Sequence, residues 1–515
     1  MHFTHILRNT FFASSIPLLT LAASAASCAK TSVSEQPALP LTSEEVGKYL
    51  HRAEEKVLQT IHSLVSIPDD QKTSENMLKP WNRLSNEILT HFSVLTFITK
   101  SDFPSKIDAG IAIQKLQAFL FKSLIQNPDL YRSLMTYIDK SLTGDAILTP
   151  YEHQEIHCLL ESCEQIKGSL SKEDQETLDK LKDLNSKHEK APFVYLKSDA
   201  SDKTGVNPPE EFTVLSLNTC FVPGNFPLLF GGVYLPWQKR VSPLAEKILS
   251  INADVVCLQE VHAEDASYAL YEKLKNDYSY FYMAMGPRVL GFSLDTLGLP
   301  SGLFVASKYP IENPQFTLFS TSGFPMNYGF FDFIVKNGKT SIGHIYTTHT
   351  QSLNYDQFAQ IRALQLKQIL EKMESDLAVK DEAIPFFLCG DLNIPFGSQE
   401  PGELLIRTYF YDDYNKNQEP INESNRTCTD YFTNYFFSPD KNPKQVDPNF
   451  QIIDYALLLR SLPSVHQLCQ KCDISTVQIP MNDLRKPESA ISDHHALLTT
   501  ITMPTLFPHV DRNRE

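Results

Sequence analysis

Residues 385–394 read PFFLCGDLNI. The apolar run Phe386, Phe387, Leu388, Cys389 halts at Gly390, and Asp391 and Asn393 follow at once. A short apolar run bounded by Pro and Gly reads as a buried strand. This one delivers a carboxylate and a carboxamide at its C-terminal end. The pattern recurs along the second half of the chain. FTVLSLN (212–218) ends on Asn218, DVVCLQEV (254–261) closes on Gln259 and Glu260, and HIYTTHT (344–350) ends near His349. FQIIDYALLL (450–459) carries Asp454 inside an apolar run, and ISDHHAL (491–497) sets Asp493 and His494 ahead of the last strand. GLFVASKY (302–309) and FDFIVK (331–336) add two more strands, and SPLAEKILSIN (242–252) and DQFAQIRALQLKQILEKMES (356–375) have helical period. Residues 212–505 therefore read as an α/β domain whose strand ends present polar groups to one cleft.

Two of these groups constrain the fold. A buried carboxylate costs several kcal/mol unless it is paired, so Asp454 needs a partner from elsewhere, and the histidines of ISDHHAL are candidates. Neighbours on a strand point to opposite faces. Asp493 and His494 share a site only if the backbone bends, and His495 is then expected to point away.

The first half has a different period. In LTSEEVGKYLHRAEEKVLQTIHSL (41–64), Val46, Leu50, Ala53, Val57, Ile61 and Leu64 form one helix face, with Thr42 and Glu45 as a capping box. LTPYEHQEIHCLL (148–160) starts with Thr149 as cap and Pro150 at the first helical position. His153 and His157 lie four apart, but Gln154 stands where a zinc peptidase has Glu, so a solvent-facing pair is expected. Residues 40–195 read as an all-α helical domain, and the polar LKSDASDKTGVNPPEE (196–211) as a linker. Residues 1–29 read as an export signal: Arg8 precedes an uncharged apolar run that ends in small residues. The protein is expected to be secreted, periplasmic or lipid-anchored, since Cys28 after Ala-Ala-Ser resembles a degenerate lipoprotein box with Ala25 in place of the usual Leu. Cys469 and Cys472 (CQKC) lack a second pair, which argues against zinc. With a net charge of −15, a broad electrostatic footprint for nucleic acid is not expected, which leaves room only for a local basic groove.

The ordered set LSLN, VVCLQE, GLFVASKYPI, THTQ, CGDLNIP, IIDYAL and SDHHAL resembles the endonuclease/exonuclease/phosphatase superfamily, which includes DNases and sphingomyelinases. The resemblance covers about 210–505. It implies a four-layered α/β sandwich, two packed sheets flanked by helices, with Mg²⁺ (or Mn²⁺) in the cleft. It implies Glu260 as principal metal ligand, Asp493 near the metal, and Asn218 at metal and phosphate. It implies Asp391 as the group that orients or deprotonates the attacking water, and Asn393 as a holder of a phosphate oxygen. His494 contacts phosphate or transfers a proton, Asp454 orients it, and His349 is the second histidine. The helical half weakly resembles the N-terminal region of thimet-type oligopeptidases, whose catalytic motif the chain lacks.

The expected reaction is hydrolysis of a phosphodiester, with phospholipid at a membrane surface preferred as substrate. A secreted nuclease is the alternative. A further alternative is a non-catalytic exported protein that binds a protein partner through its helical domain. The apolar stretch FVPGNFPLLFGGVYLPWQKR (221–240) either packs on the sandwich or the helical domain or meets lipid, with Lys239 and Arg240 against headgroups. A second loop, MGPRVLGFSLDTLGLPSG (285–302), offers Arg288 as a phosphate contact.

Overall fold

The computed structural model describes residues 42–503 except 82–83, 85–87, 89–90, 92–94, 96–104, 145–147, 149, 187–192, 206–208, 222–236, 263, 287–299, 322–326, 353–355, 380–383, 418–420, 422–423, 430–449, 463–471 and 483–489. Arg288, Cys469, Thr149, the leader and most of the 221–240 loop therefore lie outside the described residues. Among those described, no helix is long and apolar enough to cross a membrane.

Thr42 caps helix α1 (Ser43–Ser66) as the sequence predicts. Its hydroxyl accepts from Glu45 N, and the Glu45 carboxylate accepts from Thr42 N. The pair satisfies donors that a helix start otherwise leaves open. All six residues of the predicted face are buried, with Tyr49 beside them. All but Ala53 share one core with residues of α2 (Lys106–Leu120), α3 (Pro128–Thr143), α4 (Pro150–Gln165) and α5 (Lys172–Ser186). His153 and His157 on α4 are half-buried rather than solvent-facing, because Ile156, Leu159 and Leu160 draw that helix onto the core.

The boundary with the second half differs from the sequence reading. Strand β1 (Val194–Lys197) pairs antiparallel with β4 (Tyr280–Met283), so the sheet begins inside the stretch read as helix end and linker. Packing decides this. Val194 is fully buried, and the Phe193 ring lies 5.5 Å from Tyr282 and 5.3 Å from Phe331.

Two sheets follow. The first has the order β1-β4-β5-β3-β2-β15-β14, with β2 (Glu211–Phe221), β3 (Val255–Val261), β5 (Phe304–Ser307), β14 (Asp473–Ile479) and β15 (Ala496–Thr502). The second has the order β10-β13-β9-β8-β7-β6, with β6 (Ile311–Leu318), β7 (Gly329–Asn337), β8 (Thr340–His349), β9 (Phe386–Asp391), β10 (Phe410–Asp412) and β13 (Asp454–Leu459). The β2–β3 and β8–β9 pairs are parallel. Side-chain period two divides the strands cleanly. Phe212, Val214, Val255, Cys257, Ile345, Phe387, Cys389, Ala456 and Leu458 fill the space between the sheets. Leu215, Leu217, Val256 and Leu258 face α6 (Trp237–Ile251) and α7 (Glu264–Leu274). Tyr346, Phe386, Leu388, Tyr455 and Leu457 face α8 (Asp356–Val379) and α9 (Pro401–Tyr409). The result is the four-layered sandwich expected.

Gly390 stands where β9 meets β8. Its φ is +145°, and an added Cβ would run into the Thr348 carbonyl. The close approach holds the His349↔Asp391 register at the end of the pair. Gly390→Ala is expected to lower the unfolding free energy by about 3 kcal/mol or more, read from urea denaturation. An unchanged midpoint would contradict this account.

Candidate active site

The alternation that builds the core also builds the site. Asn218, His349, Asp391 and Asp454 continue the inward-facing registers of β2, β8, β9 and β13, one or two steps beyond or before the apolar residues that fill the core. All four are nearly inaccessible. Glu260 has the wrong parity, since Val256 and Leu258 face outward. Its φ of +57° turns the chain and brings its side chain to Asn218. Cys220 and Asn393 also have positive φ, +52° and +50°. Such strain concentrates where function over-determines geometry.

Asn218 is the centre of the cluster. Its Nδ2 donates to Glu260 Oε1 and to Asp391 Oδ2, both at 3.0 Å, and its Oδ1 accepts from Cys220 N. Asp391 Oδ1 accepts from Asn393 N at 2.8 Å, while Asn393 Nδ2 donates to Thr350 O. His349 Nε2 lies 3.9 Å from Glu260 Oε1 and 3.7 Å from Asp391 Oδ2. Among the described residues, neither of its ring nitrogens has a hydrogen-bond partner. The bend predicted at ISDHHAL is present, with bends at Ile491 and Asp493 before β15. His494 Nδ1 meets Asp454 Oδ2 at 2.8 Å, and its Nε2 is 3.9 Å from Asp391 Oδ2. His495 is buried elsewhere, with its Nδ1 accepting from Met481 N.

Burial raises the Glu260 carboxyl, and the Asp493 carboxylate raises it further. Burial, then Asp454, pushes Asp391 up to about 7. Burial holds His349 well below the usual imidazole range, with His262 and His494 adding to the effect. Burial opposes charge on His494 too, but Asp454 and further anionic neighbours outweigh it and leave the imidazole well above its ordinary value. Burial pushes His495 down to about 3.

Glu260, His349 and Asp391 can place one ligand atom each within 4.8 Å of one another. Two carboxylates, Asp391 buried and Glu260 half-buried, beside an orphaned imidazole suit a divalent cation, and oxygen-rich donors suit Mg²⁺ or Mn²⁺. Asp493 is half-buried and stands outside that group, although its charge reaches Glu260. A second constellation, Asp332, His344 and Asp376, lies under α8. Lys372 Nζ sits 2.7 Å from both Asp376 oxygens and 3.5 Å from Asp332, so that cluster already contains its cation.

Two residues, Ser492 and Thr427, act here that the sequence reading did not assign, and a third, Arg240, acts otherwise than expected. Ser492 Oγ donates to Asn218 O at 2.6 Å and accepts from His494 N. Thr427 Oγ1 accepts from the amides of Ile453 and Asp454, and Thr427 O accepts from His495 N. Arg240 is not a headgroup contact; it is buried, because carbonyls at the end of β2 face its helix. The adjacent Lys239 remains exposed, and Phe221 is fully buried in the sandwich. Cys472 is buried, its thiol donating to Thr502 O.

Residues 217–457 match the model of the Endonuclease/Exonuclease/phosphatase family. No curated protein matches the chain. Solved structures that resemble it include beta toxin 275-280 from Staphylococcus aureus, 20% identical, covering 56% of this chain and 99% of that one, with a TM-score of 0.42. Sphingomyelinase C from Streptomyces griseocarneus is 19% identical over 56% and 99% of the two chains, TM-score 0.38. D. rerio TDP2 complexed with single strand DNA product is 17% identical over 57% and 100%, TM-score 0.41.

The charge-linked stabilisation from the His494–Asp454 pair is complete below the ordinary imidazole value of 6.5 and is lost as pH climbs through the raised one. In chelator-treated protein, His494 is expected to titrate above 6.5 by proton NMR, and Asp454→Asn to bring it below, burial then dominating. Identical titration in both proteins would contradict the pairing.

Proposed function

We propose that this chain, whose residues 217–457 match the model of the endonuclease/exonuclease/phosphatase family, is a divalent-metal-dependent phosphodiesterase. The observation that carries the reading is the cluster in which Asn218 joins Glu260 to Asp391 beside the His494–Asp454 pair. Glu260 is the principal ligand of the cation, with Asn218, Asp493 and His349 around it. When bound there, Mg²⁺ or Mn²⁺ neutralises phosphate charge and polarises the phosphoryl group.

The chain's own residues supply the rest. Asp391, held near neutrality, orients water and accepts its proton, since an acceptor whose pKa lies near the working pH transfers protons most efficiently. His494 stays protonated, contacts the phosphate and donates a proton toward the leaving oxygen. Asp454 fixes its Nδ1–H, which leaves Nε2 directed at the reacting group. Neutral His349 holds its position edge-on against the Tyr328 ring, 5.5 Å away, and contacts phosphate without adding charge. Asn393 positions the Asp391 carboxylate through its main-chain amide and presents its side chain beside it.

Phospholipid headgroups are the preferred substrate. The export-signal pattern of residues 1–29, the THTQ segment at 348–351 and the net charge of −15 support lipid over duplex nucleic acid. The purified protein is to be incubated with Mg²⁺ and, in parallel, sphingomyelin vesicles, plasmid DNA and inositol phosphates. Sphingomyelin is expected to turn over, and chelator to stop it. Glu260→Ala should lower kcat/KM by at least ~10²-fold. Cleavage of DNA alone would replace lipid with nucleic acid as substrate, and chelator-insensitive turnover would sink the mechanism.

A further inference from the structure

Arg240 lies in the first turn of α6 and is 2% exposed. Its Nη1 donates to Thr219 O at 2.8 Å and to Ile491 O at 2.9 Å, and its Nη2 donates to Cys220 O. The guanidinium carbon stands 4.9 Å from the centre of the Phe221 ring. These carbonyls belong to two segments that no ladder joins. The β2–β15 pairing stops at Ser216↔Leu497. Beyond it, β2 loses register with β3 between Asn218 and Phe221, where Cys220 takes its positive φ. That irregularity turns the Thr219 and Cys220 carbonyls out of the sheet. Across the gap, Ile491 O begins the bend that delivers Ser492, Asp493 and His494. A buried carbonyl left without a donor costs about 1–3 kcal/mol, and one planar fork of donors satisfies all three.

We propose that Arg240 is a positioning residue that fixes the end of β2, with Asn218, against the bend that carries Asp493 and His494. It touches no reacting atom. Its catalytic consequence rests on the phosphodiesterase reading, whereas the clamp itself does not. The neighbouring tether from Ser492 Oγ to Asn218 O fixes one point between the segments. The guanidinium adds contacts on both sides of that point and so fixes their relative orientation. A lysine ammonium keeps the charge but lacks the rigid fork.

Arg240→Lys and Arg240→Met are to be compared with wild type by amide hydrogen exchange and by kinetics on a chromogenic phosphodiester with Mg²⁺. Exchange is expected to quicken in peptides covering 216–221 and 490–496 while 340–349 on the other sheet stays protected. Kcat of the Lys variant is expected to fall ~10²-fold with KM within about threefold of wild type, the signature of misplaced groups rather than lost binding. If the Met variant does not fold, the Lys variant carries both measurements. Exchange that is unchanged in the two peptides, or raised throughout the domain, overturns the clamp. A Lys variant with wild-type kcat overturns its positioning role. If wild type shows no phosphodiesterase activity, the functional reading falls and the exchange pattern alone decides on the clamp.

Discussion

One carboxamide nitrogen holds two carboxylates from different sheets, Asp391 buried and Glu260 half-buried. Asn218 Nδ2 has two hydrogens, and it gives one to Glu260 on β3 and the other to Asp391 on β9. Glu260 belongs to the first sheet and Asp391 to the second, so the contact crosses the sandwich at its open end. The side chains between the sheets, from Phe212 and Val214 to Phe387 and Cys389, set the spacing at which a single amide can span that gap. The core therefore acts as the gauge for the site, and loosening it would separate the carboxylates.

The same arrangement is electrostatically unfavourable by itself. Burial and neighbouring carboxylates raise both Glu260 and Asp391, and His494 takes a proton against its own burial penalty. Positive φ at Cys220, Glu260 and Asn393 adds backbone strain at the same place. A bound divalent cation and an anionic phosphate would relieve opposite halves of this imbalance. The sandwich offsets the cost through its three apolar cores.

Much of this was legible in the sequence, and the reason is periodicity. Short apolar runs ending in polar residues gave the strands and put Asn218, His349 and Asp391 at their ends and Asp454 inside one; the structure then shows that period two sets all four on the inner face. Glu260 was assigned by resemblance alone; parity points it outward, and a positive φ in a non-glycine residue leaves no mark in sequence. The bend at Ile491–Asp493 was legible as a necessity, because Asp493 and His494 are adjacent, but its tethers were not. Ser492 and Thr427 act through hydroxyls on main-chain groups whose direction depends on the fold. Arg240 was misplaced because an arginine after an apolar loop looks like a surface residue, whereas the carbonyls that bury it are freed by an irregularity in β2. β1 was missed because polar residues from Ser198 onward mask a short edge strand.

The bend before β15 divides two adjacent histidines, one into the site and one into the frame. The most direct measurement is kcat for His494→Ala and His495→Ala on the same phosphodiester, alongside their melting temperatures. Loss of ~10²-fold or more for the first, with the second within about tenfold of wild type and lowered mainly in stability, is the predicted result. Equal losses of kcat in two folded variants would contradict it.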